Sequence, residues 1–320
     1  MTRQNPGPAT PLARPARLRP GSRVAVVAPS GPVPADRLEE GLAVLRDWGL
    51  EPVVGPHVRS IHPELDYLAG TDADRAADLQ AAWCDPSVEA VLCARGGFGA
   101  HRMVDLVDWA AIRAAGPKAF VGYSDITVLH EAFALRAGFA TLHGPMVATE
   151  TFLKDAPTRE HLRATLFEPE TVRTLGLASA GALVPGRAEG VLYGGCVSLL
   201  AADTGTPGGR SHARGNLLVI EDTGEEPYRL DGILTRLLRS GALTGVAGVA
   251  CGSWQECGPY EKIRAVLADR FGPLGIPVVE ELGFGHGATA LTIPLGLPAV
   301  LDAPADGGRC TLTVQVPALL

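Results

Sequence analysis

A chain of 320 residues is long enough for about two domains of ordinary size, and 46% hydrophobic with 20% charged residues excludes a disordered one. Its 39 Gly and 26 Pro, about one residue in five, lie between apolar runs without a period, which excludes a collagen-like chain and implies many tight connections. With 28 Lys and Arg against 35 Asp and Glu the formal net charge is −7, so no basic surplus invites nucleic acid.

Residues 1–21 are rich in Arg and Pro and lack an apolar stretch, so they read as a flexible arm and not as a secretory signal. From Arg23 the pattern turns regular. Arg23 to Ala28 is a short apolar run stopped by Pro29-Ser30-Gly31, which suits a buried strand and a turn. Leu38, Leu42, Leu45 and Trp48 follow at helical spacing, and Glu51 to Val54 is a second strand. An Ala-rich helix over 72–83 is capped by Thr71 or Asp72, and strands follow at 88–94 and 119–123. Near-continuous apolar strands alternating with helices predict a doubly wound, parallel-sheet α/β domain of flavodoxin-like type over 22–150. The periodicity weakens over 151–187, which reads as a linker. Residues 188–320 read as a smaller, strand-rich α+β domain, with strands near 217–220, 246–251, 278–279, 291–295, 299–301 and 311–316. Leu230, Ile233, Leu234, Leu237 and Leu238 mark one helix there, ended by Gly241; Ile263, Val266, Leu267 and Phe271 mark another. No apolar run reaches the ~20 residues of a membrane span, so no membrane partner is expected.

The most informative segment is Phe120-Val121-Gly122-Tyr123-Ser124-Asp125, where an apolar strand runs straight into an amphipathic helix marked by Ile126, Leu129 and Phe133. A serine on that corner projects its Oγ from the carboxyl end of the sheet beside helix N–H groups, the mechanics of a nucleophile elbow. The hydrolase pattern G-x-S-x-G is absent, and a serine N-cap with Asp125 in the first turn is the alternative reading. Upstream, Arg95-Gly96-Gly97-Phe98-Gly99 follows a strand and can cradle phosphate, supply an oxyanion hole or simply turn the chain; it lacks the P-loop Lys-Ser/Thr. Glu221 closes a strand inside an acid-rich run that suits either a cleft or a solvated loop. His286 lies in Gly283-Phe284-Gly285-His286-Gly287, where its neighbours are too small to pack it as a core residue. Tyr193-Gly194-Gly195-Cys196 reads as a further glycine turn lining a cleft. His57, His62 and His143 stand at no metal-ligand spacing, and Cys84, Cys93, Cys196, Cys251, Cys257 and Cys310 follow no zinc or redox pattern. They read as the reduced thiols of a cytoplasmic protein, and no metal is expected.

Ser124 in Gly-Tyr-Ser-Asp-Ile-Thr, the Ala-Arg-Gly-Gly-Phe-Gly loop, Glu221 in Ile-Glu-Asp-Thr-Gly-Glu-Glu-Pro-Tyr-Arg-Leu-Asp, and Gly-His-Gly before Leu-Thr-Ile-Pro-Leu-Gly together resemble the LD-carboxypeptidase family. These are the S66 serine peptidases, a group that includes the microcin C immunity peptidases. The resemblance runs from about Val24 to Val300. It implies a triad in the order Ser124 as nucleophile, Glu221 as the acid orienting the imidazole and His286 as general base, with no cofactor. It implies as substrate a murein tetrapeptide, from which the terminal D-alanine is removed in peptidoglycan recycling, and a cytoplasmic homodimer. On that reading the backbone N–H groups of Gly97 and Asp125 form the oxyanion hole. Arg95 holds the substrate's free carboxylate, ahead of Arg229 and Arg102, and Tyr193 and Gly195 line the cleft. The chain departs from the family pattern at Cys196 and Ala290, where the family often carries Asn.

Three rival readings arise from the sequence. An immunity-type peptidase cleaving aminoacyl or peptidyl nucleotides would use the same triad. A non-catalytic α/β protein would use the glycine loops to hold a small ligand. A glutamine amidotransferase-like enzyme would want a cysteine at the corner where Ser124 stands, and is set aside.

Overall fold

The computed structural model describes residues 9–206 and 208–320. Its strands are β1 (Arg23–Val27), β2 (Glu51–Val54), β3 (Ala90–Cys93), β4 (Ala119–Gly122), β5 (Thr141–His143), β6 (Thr174–Leu175) and β7 (Gly181–Val184). Then come β8 (Gly186–Cys196), β9 (Asn216–Thr223), β10 (Gly248–Gln255), β11 (Val278–Glu280), β12 (Ile293–Leu295), β13 (Pro298–Ala303) and β14 (Thr311–Val314). They form a six-stranded sheet in the order β12-β5-β4-β3-β1-β2 and an eight-stranded sheet in the order β6-β14-β13-β8-β9-β10-β11-β7.

The chain divides into two units. The first comprises Leu12–Val172, Ala288–Pro294 and Pro317–Leu320. Its strands β1 to β5 pair in parallel, in the order of a flavodoxin-like sheet. β1, β3 and β4 are buried almost throughout, because helices cover a parallel sheet on both faces. The helix Asp72–Cys84 starts on a capping box in which Thr71 Oγ1 accepts from the Asp74 N–H while the Asp74 carboxylate accepts from the Thr71 N–H. It buries Trp83 against Phe133, with ring centroids 4.3 Å apart. Ligands of such sheets sit at the carboxyl ends of the strands, where order reverses between β1 and β3. The turns after β1, β3 and β4 meet at that edge.

Residues 151–187, expected to be a linker, carry helices Glu150–Lys154 and Ala156–Phe167, then β6 and β7. Asp155 caps the second helix by accepting from the Thr158 N–H, and Phe152, Leu162 and Leu166 are buried. The arm expected over 1–21 differs likewise. Residues 1–8 lie outside the described residues, and from Ala13 the chain is packed. Ala13 bridges Phe139, the Leu18 N–H donates to Leu166 O at 2.9 Å, and Leu18 is buried. Residues 291–295 were expected in the second domain. Ile293–Leu295 instead form the edge strand beside β5.

The second unit comprises Arg173–Gly287 and Leu295–Val316. It is strand-rich, as expected, and its central strands β8, β9, β10 and β11 are parallel to one another while the flanking pairs are antiparallel. Helices Val197–Ala202, Pro227–Ser240 and Tyr260–Phe271 make the crossovers. Pro227 opens the second of these and Gly241, at φ 84°, closes it. Leu230, Leu234 and Leu237 recur at i, i+4 and i+7 and bury against Leu218, Ile220 and Val249 of the sheet. Among the described residues no helix is long and apolar enough to cross a membrane.

Candidate active site

Ser124 stands on the corner between β4 and a 3-10 turn, Ser124–Ile126, that leads into the helix Thr127–Ala132. Its φ is +63°, one of three left-handed non-glycine residues among those described, at a cost of about 1–3 kcal/mol. An N-cap has an extended backbone, so this angle contradicts the capping alternative and fits a strained elbow. Two glycines make the corner possible. A Cβ on Gly122 would come within 2.7 Å of the Ile126 side chain, and one on Gly96 within 3.1 Å of Ser124 Cβ and 3.3 Å of its Oγ. Glycine thus lets the loop after β3 lie directly against the serine. Gly97, at φ +112°, continues that loop.

Asp125 turns inward. Its carboxylate is 1% exposed, and Oδ2 accepts from Ser30 Oγ at 2.6 Å and from the Ala100 N–H at 2.8 Å. Burial raises its pKa, against these hydrogen bonds and the charges of His101 and Arg75, which lower it. Behind the corner His130, fully buried, bonds Gly122 O through Nε2 at 2.8 Å and Thr141 Oγ1 through Nδ1 at 2.9 Å. The carbonyl requires a donor, so Nε2 carries the proton. Burial, then the neighbouring His143, depresses its pKa to about 3, so the ring stays neutral.

In the second unit Glu221 is completely buried near the end of β9. Its Oε2 lies 2.6 Å from His286 Nδ1 and accepts from the His286 N–H at 3.2 Å. A carboxylate at that distance fixes the proton on Nδ1 and leaves Nε2 as the basic nitrogen. Burial opposes the imidazolium, but the charge and hydrogen bond of Glu221, then the charge of Asp222, outweigh it and raise the His286 pKa above 6.5. The loop is shaped to this contact. Gly285 has φ +95°, and a Cβ there would lie 2.5 Å from Glu221 Oε2. Ser253 fastens the loop to β10: its N–H donates to Phe284 O at 2.9 Å, and its Oγ accepts from the Gly287 N–H at 2.8 Å.

The structure thus brings Ser124, Gly96 and Asp125 together in one unit, and Glu221 with His286 in the other. The other predicted residues fall as follows. Arg95 is exposed and its Nη1 donates to Pro32 O at 2.7 Å. Arg102 pairs with Asp72 and Arg229 with Glu225. Tyr193, expected in a turn, lies instead within β8 and is only 5% exposed, in the core with Arg210 Cζ 4.4 Å from its ring centroid. Gly194 and Gly195 have φ +132° and +139°, and a Cβ on Gly194 would strike Val219 O of β9, so these glycines serve close strand packing. Cys196 Sγ donates to Asp222 Oδ1 at 3.3 Å, and Ala290 lies in the first unit, its N–H donating to Thr158 Oγ1 at 2.7 Å. Among the described residues no group of three ligands could hold a metal ion. Sequence reasoning missed Ser30, His130, Asp222 and Ser253. Ser30 carried one signal, its place in the turn after β1.

A strained serine at the carboxyl edge of a parallel sheet, and a buried carboxylate–imidazole pair, are groups of the kinds that serine hydrolases use. The chain belongs to the LD-carboxypeptidase family, whose N-terminal domain matches residues 24–144 and whose C-terminal domain matches residues 189–301. It is a serine carboxypeptidase of peptidase family S66. A protein of Streptomyces coelicolor named as a carboxypeptidase is 67% identical over 309 residues, covering 96% of this chain and 98% of that one. The murein tetrapeptide carboxypeptidase of Pseudomonas aeruginosa is 35% identical over 301 residues, covering 88% and 93%. The crystal structure of a muramoyltetrapeptide carboxypeptidase from Oxalobacter formigenes matches with a TM-score of 0.78 at 29% identity, covering 92% and 99%. An MccF-like protein from Bacillus anthracis shares the fold with a TM-score of 0.82 at 23% identity, covering 94% and 98%.

Proposed function

We propose that this enzyme removes the terminal D-alanine from murein tetrapeptides by hydrolysing the amide between an L and a D centre, with Ser124, His286 and Glu221 as its triad. The observation that carries the reading is the 2.6 Å contact of Glu221 with His286 Nδ1, which leaves Nε2 as a base with a raised pKa. A serine hydroxyl attacks an amide only if its proton is taken as it attacks. His286 Nε2 accepts that proton, Oγ of Ser124 adds to the carbonyl, and Glu221 stabilises the imidazolium. The oxyanion is met by the N–H groups of Gly97 and Asp125, each such donor contributing about 3–4 kcal/mol. His286 then returns its proton to the departing amine, and water hydrolyses the acyl-enzyme by the same route reversed. Arg95, exposed on the glycine loop that abuts Ser124, meets the free carboxylate of the leaving D-alanine. Tyr193 and Gly195 shape the unit from within the sheet.

The substrate class is supported by the names of the Pseudomonas and Oxalobacter relatives. The same reading makes the enzyme a cytoplasmic homodimer serving peptidoglycan recycling. Mass spectrometry of a murein tetrapeptide incubated with the enzyme tests it. Loss of one D-alanine is expected, with kcat reduced about 10⁴-fold or more in Ser124→Ala. Turnover of an aminoacyl sulfamoyl adenylate with an untouched tetrapeptide would replace this reading with an immunity-type one.

A further inference from the structure

The turns that follow β1, β3 and β4 beside Ser124 converge on one oxygen atom. Asp125 Oδ2 accepts from Ser30 Oγ at 2.6 Å, reaching the turn after β1, and from the Ala100 N–H at 2.8 Å, reaching the end of the glycine loop after β3. Asp125 is itself the residue after the serine, on the turn that follows β4. Ser30 is 0% and Asp125 1% exposed, so no water competes for either bond. Three further hydrogen bonds close the same ring. The Gly31 N–H donates to Gly96 O at 3.0 Å, and Arg75 Nη1 donates to Pro29 O at 2.6 Å and to Gly99 O at 2.8 Å. Gly96 lies so close to Ser124 that a Cβ would crowd Oγ, so any slackening of the glycine loop moves its N–H groups relative to the serine.

Resting on the reading of Ser124 as nucleophile, we infer that the Asp125 side chain is a positioning residue that holds the glycine loop in register with Ser124, so that the oxyanion donors keep their place. The Asp125 carboxylate has no route to the substrate carbonyl, since the residue is only 1% exposed and its Oδ2 is held by Ser30 and Ala100. Its action runs through the backbone it fastens. What counts is an acceptor at the position of Oδ2, which an asparagine amide oxygen can also supply, and not the negative charge.

The consequence is specific to the transition state. Donor placement matters to the tetrahedral adduct and little to the bound ground state, so loss of the fastening lowers kcat and spares KM. The test compares Asp125→Ala, Asp125→Asn and Ser30→Ala with the parent enzyme on a murein tetrapeptide. It also uses a tripeptide boronic acid whose boron replaces the scissile carbonyl carbon and forms a tetrahedral adduct with a serine. Asp125→Ala is expected to lower kcat about 100-fold or more, the scale of a lost oxyanion donor, with KM within about threefold. The boronic acid should weaken by the same factor as kcat/KM. Asp125→Asn should recover most of the loss, and Ser30→Ala, which removes one strut of the ring, should show a smaller loss of the same pattern. The inference is overturned if Asp125→Ala keeps kcat within threefold, if its defect is carried by KM, or if Asp125→Asn is as impaired as Asp125→Ala. Ser30→Ala keeps the test open should Asp125→Ala not fold, because a Ser30→Ala enzyme with unchanged kcat also overturns it. Ser124→Ala is assayed alongside. Turnover surviving in that variant sinks the nucleophile assignment itself, whereas a dead Ser124→Ala with a fully active Asp125→Ala sinks only the positioning role.

Discussion

His286 carries two opposed consequences of one pKa. Burial disfavours its charged form, yet Glu221 and Asp222 together raise its pKa above 6.5. A general base works only when neutral, so kcat/KM should fall on the acid side with a midpoint above pH 6.5. The fold moves the other way. A folded pKa above the unfolded one means that protonation of His286 favours the native state, a stabilisation complete below pH 6.5 and lost as pH rises through the raised value. Asp222→Asn removes one of the charges that raise it, so the acid limb should shift to lower pH; a pH–rate profile that stays in place would discount Asp222. The roles proposed for Ser124, Glu221 and His286 came with the family resemblance, but Ser124 at its strand-to-helix corner after Gly122 and His286 between Gly285 and Gly287 were legible by themselves. Ser30 and Ser253 were not, since their partners lie 95 and 34 residues away and a lone serine has no local pattern.

At the scale of elements, the Ser124 corner is held by the helix it starts. The helix Thr127–Ala132 sends His130 back to Gly122 O, the same carbonyl that accepts from the Gly144 N–H at 3.0 Å, and its other nitrogen reaches Thr141 of β5. Strand, helix and neighbouring strand are thereby joined around a turn that is strained at Ser124. His130→Leu leaves Thr141 Oγ1 without its acceptor and the carbonyl with one donor in a dry interior. Unfolding free energy should drop by about 1–3 kcal/mol, read from urea midpoints. Because burial and His143 hold the ring neutral down to about pH 3, this contribution should be flat across the working range of the enzyme. Strand positions were readable because parallel strands are near-continuous apolar runs, as β1 and β4 show. The helix Ala156–Phe167 escaped because Thr158 and Thr165 occupy two of its buried positions beside Leu162 and Leu166, which blurs the apolar period.

Over the whole molecule, periodicity reports that a segment packs and says nothing of which unit it packs in. Composition and length pointed to two domains read as consecutive stretches, whereas the chain leaves the first unit at Val172, returns to it over Ala288–Pro294, and returns again over Pro317–Leu320. The last return is a physical closure of that unit. Leu319 is fully buried, the Leu320 N–H donates to Pro15 O at 2.9 Å, and the Arg17 N–H donates to Leu320 O at 3.0 Å. Arg14 Nη1 adds a bond to Pro317 O at 2.9 Å. Residues some 300 positions apart thus form one seam, a contact whose chain-closure entropy grows only slowly with that separation. Burial of one leucine is worth about 1.5–3 kcal/mol, and the backbone bonds add to it. Removing Pro317–Leu320 takes away no proposed catalytic residue, yet it should lower unfolding free energy by at least about 2 kcal/mol, measured as an earlier urea midpoint at unchanged slope. Leu319→Ala alone should reproduce most of that shift, since the cavity it leaves lies in the same packed seam. A truncated chain with the parent midpoint would mean that the seam closes nothing and that the first unit is complete without its C-terminal residues.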